Sequence, residues 1–511
     1  DHQGFRPSIV FINGEYMGIH NIRSRMDGDY VEENHNLESG TFDLINDDGI
    51  VEEGSSDAFQ TMDSLFNQDL SVQENFDALA AVVDMTNFAD YWATEIWTSN
   101  RSWGHNVVLW KAHDNGKWQF GFTDLDRGFS GALNDDIDDF TQPQNNGYDY
   151  ARTWIRHALE NEGFAAAFAQ RFVDHLHTSF HPKRTSDLMD DWSDRLREEI
   201  PHHVERWSGT ISSYGDGIAT VEFWEEEIER MRTFAFERSA FMLADLEDHM
   251  DLEPSVELFT SNDPVEAGQI QLNDFKLPRS RWSGPYAQGL EFTLTAHPKP
   301  GFEFVGWSAA ERQVWIPAAS TWKYDDSGTD LGSDWRNPGF DDSMWSSGEA
   351  EFGYGDGDES TVVSFGTDPD NKHPTTYFRR VFEGPEGGAQ DILATFKLRR
   401  DDGTVVYLNG EEMFRDNLAP GDISHDTFAL DFAGGVAEEQ WNHHSRPIHL
   451  LPGPNVICVE VHQFSPTSSD VSFDLELSSF VEDESLISTA TTLPSTLDQS
   501  EGFVARYETT G

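Results

Sequence analysis

The sequence predicts a multidomain protein whose first half is α+β and whose second half consists of all-β modules. The chain has 511 residues, too many for one ordinary hydrophobic core. Apolar residues recur at helical spacing through much of 56–250, whereas short strand-like runs separated by Gly, Asp and Pro follow residue 253. A hydrophobic content of 37%, with 13% aromatics, is enough for several folded cores and excludes disorder of the chain as a whole.

Residues 1 to about 50 alternate as strands, and residues 56–250 are predicted to be mainly helical with one hairpin at 105–124. Asn13-Gly14 indicates a two-residue hairpin turn, because both central positions of a type I′ turn need positive φ. Two predicted helices bury one face each. Their apolar residues are Phe88, Tyr91, Trp92 and Ile96 in the first, and Trp224, Ile228, Met231, Ala235 and Met242 in the second.

The charge of the chain is strongly negative. It has 93 acidic and 34 basic residues, a formal net charge of −59. Such a field repels nucleic acid and anionic membranes, so both are poor partners. Salt screens this self-repulsion over a Debye length of roughly 8 Å, which favours a saline or cation-rich habitat. The alternative is that the acidic residues form an ordinary solvated surface that has no relation to the habitat.

Three features bear on the location of the protein. The only cysteine, Cys458, alternates with apolar neighbours on a predicted strand and is expected to be a core residue. One cysteine cannot form an intramolecular disulfide, so it says nothing about export. The sequence has no run of about 18 apolar residues of the kind that predicts a membrane span. The chain enters a strand pattern at once, so we expect a piece of a longer precursor, secreted or at the cell surface.

Polar residues flank the predicted hairpin at 105–124. Asn100–Asn106 lead into it, and Asp124 and Asp126 follow it. In an extended segment, carboxylates two residues apart point to the same side. Together with Asn106 they would form an oxygen-rich site of the kind that Mg²⁺ or Ca²⁺ prefers, although some Asp pair is expected by chance among 93 acids.

These motifs resemble the CotH (spore-coat protein H) kinase-like family. The matching residues are Asn13-Gly-Glu-Tyr-Met-Gly upstream, Trp103 and Asn106 before the hairpin, Asp124-Leu-Asp126 after it, and Phe234 and Arg238 in a later helix. The resemblance covers 1–252 and implies an atypical protein-kinase-like fold, here with an incomplete N-lobe. It implies binding of ATP with Mg²⁺ or Mn²⁺, Ca²⁺ being a further option, and phosphorylation of secreted or coat proteins.

Within this resemblance, Asp124, Asp126 and Asn106 are the expected metal ligands, and Asn106, Arg23 and Arg25 the expected nucleotide-binding residues. Structural ion pairs are the alternative for the two arginines. Ser102 stands where the family has its proposed catalytic Asp, and Ser24 where the family's upstream strand ends in Glu. A serine hydroxyl cannot act as a carboxylate base. His105 is a substitute candidate for proton transfer, or simply a solvated turn residue.

The second half resembles two kinds of β module. Residues 253–310, ending in the run Phe292–Trp307, resemble a small all-β bacterial surface repeat. Residues 311–481, with Asp401-Asp402-Gly403 among their motifs, resemble the galactose-binding-like β-sandwich (jelly-roll) domains of secreted polysaccharide-active enzymes. Arg379, Asp402, His462 and Asp470 could form a ligand or Ca²⁺ cluster there, or strand-end salt bridges. The Ser- and Thr-rich segment 482–511 is predicted to be a linker or tail.

Two functional hypotheses follow. In the first, the protein is an exported CotH-like kinase that phosphorylates secreted or surface proteins and attaches to a surface or polysaccharide through the sandwich. In the second, the kinase fold is catalytically decayed and the chain is an adhesion or structural protein in a larger surface assembly. Ser102 favours the second hypothesis, whereas Asn106, Asp124 and Asp126 favour the first.

Overall fold

The computed structural model divides into two compact units, residues 1–252 and 253–511. It describes the chain except residues 1, 47–48, 102–105, 130, 133, 135, 138–149, 210, 213–214, 356, 420, 431, 433–439 and 511, and except the side chains of 150–152, 211–212 and 215–216. The first unit mixes helices with small sheets and the second is built from strands, so the coarse prediction of a multidomain protein with β-rich modules after an α+β half is confirmed.

The first unit contains a hairpin and a four-stranded antiparallel sheet. The hairpin joins β1 (Phe5–Ile12) to β2 (Glu15–Arg23) through Asn13 and Gly14, whose φ angles of 53° and 84° match the predicted turn. The sheet has the order β4-β3-β5-β6. Its strands are β3 (Phe42–Asn46), β4 (Ile50–Glu53), β5 (Val108–Ala112) and β6 (Gln119–Gly121). A short pair, β7 (Ile211–Ser212) and β8 (Gly215–Asp216), lies further along the chain.

Helices make up most of the rest of the described part of the first unit. They are α1 (Gly28–His35), α2 (Asp57–Phe66), α3 (Gln73–Ala80), α4 (Met85–Trp97), α5 (Tyr150–Ala158), α6 (Glu162–His177), α7 (Pro182–Arg197), α8 (Ile200–Trp207) and α9 (Val221–His249). Asp84 caps α4 by accepting the amides of Thr86 and Asn87, both at 3.1 Å. None of the described helices combines the length and apolar character needed to cross a membrane.

The helix α4 is the central helix of the described aromatic core. Its predicted apolar residues are buried, and Phe88 contacts Phe66, Phe120 and Phe164 with ring centroids 5.2–5.9 Å apart. The Asn87 side chain exchanges two hydrogen bonds with the backbone of Phe120 on β6, at 2.6 and 3.2 Å. Because α4 and β6 are fixed to each other, the chain that leaves each element also starts from a fixed position.

The second unit contains two larger sheets and a smaller one. Their orders are β12-β9-β27-β14-β25-β17-β18 with β20 and β23 added beside β25, then β16-β15-β19-β24-β21-β22, and β11-β10-β13-β26. The strands are β9 (Glu253–Asp263), β10 (Gly268–Leu272), β11 (Phe275–Lys276), β12 (Arg281–Gln288), β13 (Phe292–Pro298), β14 (Phe302–Ile316), β15 (Thr321–Asp325), β16 (Ser346–Glu349), β17 (Phe352–Tyr354), β18 (Thr361–Val362), β19 (Thr375–Glu383), β20 (Gln390–Asp401), β21 (Gly403–Leu408), β22 (Glu411–Asp416), β23 (Asn442–Leu450), β24 (Pro454–His462), β25 (Val471–Ser488), β26 (Thr492–Ser495) and β27 (Glu501–Thr509).

The two larger sheets share one hydrophobic core and therefore form a β-sandwich. Phe396 and Phe473 from the nine-stranded sheet and Trp322 and Phe378 from the six-stranded sheet are all buried in it. The rings of Phe378 and Phe473 stack across the two sheets with centroids 4.3 Å apart. Cys458 is fully buried on β24, as expected from its alternation.

Two predicted boundaries in this unit are wrong. The boundary at 310/311 falls inside β14, one continuous strand that pairs with both β25 and β27. Residues 482–511 are not a linker, because they complete β25 and supply β26 and β27, and β27 lies between β9 and β14 in the nine-stranded sheet. The segment was misread because few of its residues are apolar, yet most residues of β27, including Phe503, Val504 and Tyr507, are buried.

Candidate functional site

A cleft of about 350 Å³ lies where the hairpin and the four-stranded sheet of the first unit meet. Its walls come from the end of β2, the end of β3, the start of β5 and the segment after β6. The lining residues are Gln3, Arg23, Ser24, Arg25, Met26, Asn46, Asn106, Val108, Thr123 and Asp124. The structure thus brings four of the predicted site residues, Arg23, Arg25, Asn106 and Asp124, to one polar cleft.

The two predicted carboxylates do not share one side of an extended segment. Asp124 has a φ of 53°, in the left-handed region, and this breaks the alternation on which that prediction depended. Both side chains are exposed, and Asp124 lines the cleft whereas Asp126 is not among its lining residues. The chain then turns back on itself, since the Gly128 amide donates to the Leu125 carbonyl at 3.1 Å.

The two arginines differ in their surroundings. Arg25 is in ion pairs with Glu52 at 3.1 Å and with Asp27 at 3.9 Å, as the alternative of structural pairing anticipated. Arg23 is exposed at the end of β2 and forms no ion pair with the described residues. Ser24 accepts the Gly4 amide at 2.7 Å and donates to the Gly4 carbonyl at 3.2 Å, so it holds the chain before β1. Arg23 is therefore the better placed cation for an anionic ligand.

Ser102 and His105, the two predicted catalytic residues, lie outside the described residues. The chain on either side of them is fixed. Asn106 is half-buried in the cleft wall. Asn100 is 1% exposed and its side-chain amide donates to Glu95 Oε2 at 2.9 Å. Glu95 is itself 1% exposed on α4, and burial raises its pKa to about 7.

A buried arginine holds two separate segments together, the end of α4 and the segment that contains Ala132, Asn134 and Asp136. Arg238 on α9 is fully buried. Its guanidinium donates to the carbonyl oxygens of Ile96 (2.7 Å), Trp97 (3.1 Å), Ala132 (3.0 Å) and Asn134 (2.6 Å). It also donates to Asp136 at 2.5 Å, and Arg101 approaches the other oxygen of that carboxylate at 3.1 Å. This network was not predicted, although Arg238 was noted as part of the family pattern.

The donor set of the cleft fits a nucleotide with a divalent cation. Arg23 supplies a guanidinium for phosphate oxygens, and Asp124 and Asn106 supply oxygens of the type that hard cations prefer. Among the described residues, no group of three or more His, Cys, Asp or Glu side chains is placed to hold a metal ion by itself. A cation in this cleft would thus be shared with ligand phosphates and water, as is usual for Mg²⁺.

The first unit is an α+β domain with a polar cleft at the ends of its strands, and comparison with known families identifies its class. Residues 1–242 match the CotH kinase protein family, and residues 280–325 match the divergent InlB B-repeat domain. The first 242 residues therefore belong to the CotH family and a bacterial surface repeat follows them, which confirms both resemblances. Membership implies nucleotide and metal use in general terms.

Other comparisons add little. No curated protein matches the chain significantly. Solved structures with some similarity include Bacteroides uniformis β-glucuronidase 2 (18% identity, 33% of this chain and 18% of that chain, TM-score 0.21), a β-glycosidase from Bacteroides vulgatus (15%, 33% and 20%, 0.20) and a β-glucuronidase from Ruminococcus gnavus (11%, 34% and 30%, 0.22). The chain spans less than a third of each, and TM-scores this low support no argument.

Proposed function

We propose that the first unit binds ATP with Mg²⁺ or Mn²⁺ in the cleft between Arg23 and Asp124 and phosphorylates secreted or surface proteins. The observation that supports this most is the convergence of Arg23, Arg25, Asn106 and Asp124 on one cleft of about 350 Å³. Two of them come from the end of β2 and two from the segments that flank β5 and β6, and the family resemblance pointed to all four. The volume lies within the range of small-molecule sites.

Each residue has a distinct task in this proposal. The Arg23 guanidinium binds phosphate oxygens and offsets their charge, and Arg25 contributes while it also pairs with Glu52. The Asp124 carboxylate and the Asn106 amide oxygen orient the metal-bound phosphates. The cation, when bound, neutralises charge that develops on the transferred group. Arg238 and Glu95 keep the loops that carry these groups in place.

The proposal is tested by nucleotide binding and by transfer. We expect ATP with Mn²⁺ to raise the Tm of the first unit in the full chain and labelled ATP to leave phosphate on the protein. Asp124→Asn should abolish the Tm shift. Asp114→Asn is the matched control, because Asp114 is an exposed Asp at the turn of the same hairpin, far along the strands from the cleft. Equal shifts in both variants would refute a site at Asp124.

A second candidate function rests on Ser102. If no other group accepts the proton of the attacking hydroxyl, the domain binds nucleotide without transferring phosphate and serves as an adhesion or assembly module. Loss of a general base costs about 10²–10⁴-fold in rate. A Tm shift with ATP and Mn²⁺ but no incorporated label would support this function. Ser102→Asp should then raise the labelling, and failure to do so would count against Ser102 as the missing base.

The location and attachment of the protein belong to the same proposal. The surface repeat at 280–325 supports an extracellular or cell-surface protein, and the β-sandwich of the second unit supports attachment to a glycan or surface. Co-sedimentation of the full chain with insoluble polysaccharides, with bovine serum albumin as the reference protein, tests the attachment. Recovery of the chain only in the supernatant would leave the sandwich a structural module.

A further inference from the structure

Four strand ends meet at one end of the sandwich in the second unit. Asp401 ends β20 and lies opposite Ser472 on β25, and Tyr354 ends β17 opposite Val471 on the other side of β25. Asp402 follows, where the chain passes from the nine-stranded sheet into the six-stranded one. There β21 begins at Gly403, paired with His462 at the end of β24. Residues from both sheets and from the loop before β25 are therefore gathered at this corner.

The corner contains buried oxygen atoms that receive no hydrogen bond from the described residues. Asp401 is 0% exposed, and neither of its carboxylate oxygens has a hydrogen-bond partner in the described part of the chain. The same holds for the amide oxygen of Gln463, which is 3% exposed and whose nitrogen donates to the Tyr354 hydroxyl. Burying a carboxylate without a partner is costly, so this arrangement calls for a charge-balancing ligand.

Two more carboxylates face Asp401. Asp402 accepts the Phe464 amide at 2.6 Å and the Ser468 hydroxyl at 3.2 Å, and the half-buried Asp470 accepts the Ser469 hydroxyl at 2.8 Å. Asp402 and Asp470 both interact with the Asp401 carboxyl group. The three groups are thus close enough to repel one another strongly, which a bound cation would relieve.

The cationic side chains around this corner are engaged elsewhere. The Lys372 ammonium donates to the carbonyl oxygens of Ser468 and Ser469 and lies 5.1 Å from the centre of the Tyr354 ring. Arg379, which the sequence grouped with Asp402, His462 and Asp470, pairs instead with Asp342 at 3.1 Å. The predicted cluster is therefore divided. Its two Asp members lie beside Asp401, a residue that the sequence analysis named in a motif but did not assign to the cluster.

We propose that Asp401, Asp402 and Asp470, with the amide oxygen of Gln463, bind one Ca²⁺ that joins the two sheets at this corner. The ligands are all oxygens on separate strand ends, an irregular set that the flexible coordination of Ca²⁺ accepts more readily than the octahedron of Mg²⁺. No three acidic, His or Cys side chains among the described residues already converge as a complete metal site. Binding thus requires the half-exposed Asp470 to turn its side chain further toward Asp401.

The test is thermal unfolding of the full chain after chelation, with and without Ca²⁺, in 0.5 M NaCl to suppress binding to the general acidic surface. An Asp124→Ala background removes the cleft of the first unit from the measurement, so that the two proposals fail independently. At about 100 times its Kd, Ca²⁺ should raise the Tm of the second unit by roughly 5 °C. Mg²⁺ should raise it less.

Two variants and a control make the result specific. Asp401→Asn should abolish the Ca²⁺ shift, because it removes a carboxylate ligand. Asp470→Asn, at a half-exposed position, should also abolish the shift and is expected to fold whatever Asp401→Asn does. Asp341→Asn, at an exposed position on a loop, should leave it unchanged. No Ca²⁺ shift in the parent, or an undiminished shift in Asp470→Asn, would overturn the proposal.

Discussion

Replacing Arg238 with Met should destabilise the first unit far more than replacing any exposed arginine of α9. The substitution removes five hydrogen bonds, four of them to backbone carbonyls at 2.6–3.1 Å and one to the buried Asp136. Breaking a buried ion pair by deleting one partner typically costs about 3–5 kcal/mol. Asp136 keeps Arg101 at 3.1 Å, so we expect the lower end, about 3 kcal/mol.

The measurement is urea unfolding of the full chain, followed by tryptophan fluorescence and by nucleotide-dependent shifts that report on the first unit. Arg230→Met is the matched control, because Arg230 lies on the same helix, is exposed, and pairs only with Glu227 among the described residues. Exposed pairs of this kind contribute less than about 0.5 kcal/mol. Arg238→Lys should recover only part of the loss, since an ammonium cannot reach all five acceptors.

If Arg238→Met lost no more stability than Arg230→Met, the reasoning would be refuted, because the buried network would then contribute nothing. A second readout separates stability from function. The carbonyls that Arg238 holds belong to the ends of the loops around the cleft, so ATP affinity should fall in Arg238→Met even at a temperature where the variant is folded. Unchanged ATP affinity would limit Arg238 to a purely stabilising role.

Three further predictions concern titration, reactivity and salt. Burial holds the folded-state pKa of Glu95 at about 7, above its ordinary value of 4.5, so its stabilising contribution is complete below pH 4.5 and is lost as the pH rises to 7. Glu95→Gln should flatten the pH dependence of unfolding in that window by up to about 3 kcal/mol, and an unchanged profile would contradict this. Cys458 is buried and burial raises its pKa to about 12, so a disulfide reagent should label it only at the rate of unfolding, and rapid labelling of native protein would disprove its burial. With a net charge of −59, the Tm should rise between 0.05 and 1 M NaCl, and a flat profile would exclude salt adaptation.

Local patterns in the sequence predicted local structure well. Asn13-Gly14 forms the expected turn because its positive φ values are a local steric requirement. The apolar stripe of α4 is buried because helical periodicity places those residues on one face. Glu95 could have been noticed by the same argument, since it lies on that face between Trp92 and Ile96. A carboxyl group that is buried there needs a hydrogen-bond partner.

Features that depend on distant parts of the chain were beyond the sequence. The left-handed conformation of Asp124 is set by the turn that follows β6, and no pattern in the sequence predicts it. The pairing of Arg238 with carbonyls more than a hundred positions away needs the folded structure. Arg379 and Asp402 were grouped as candidate ligands on the sandwich, whereas Arg379 lies within β19 and Asp402 precedes β21, which is separated from β19 by β24. The position of Arg23 and Asp124 on one cleft was reached only through family resemblance.

The position of β27 has a consequence for how the second unit is made and handled. Residues 501–509 run parallel to β9 and antiparallel to β14, in the interior of the sheet, so strands encoded about 240 residues apart must meet before that sheet is continuous. Contacts of such long range slow folding. During synthesis, the edges of β9 and β14 that pair with β27 stay unpaired until β27 has been made. A fragment that contained only the surface repeat or only the sandwich would leave those edges exposed. A soluble fragment of the second unit should therefore contain all of residues 253–511.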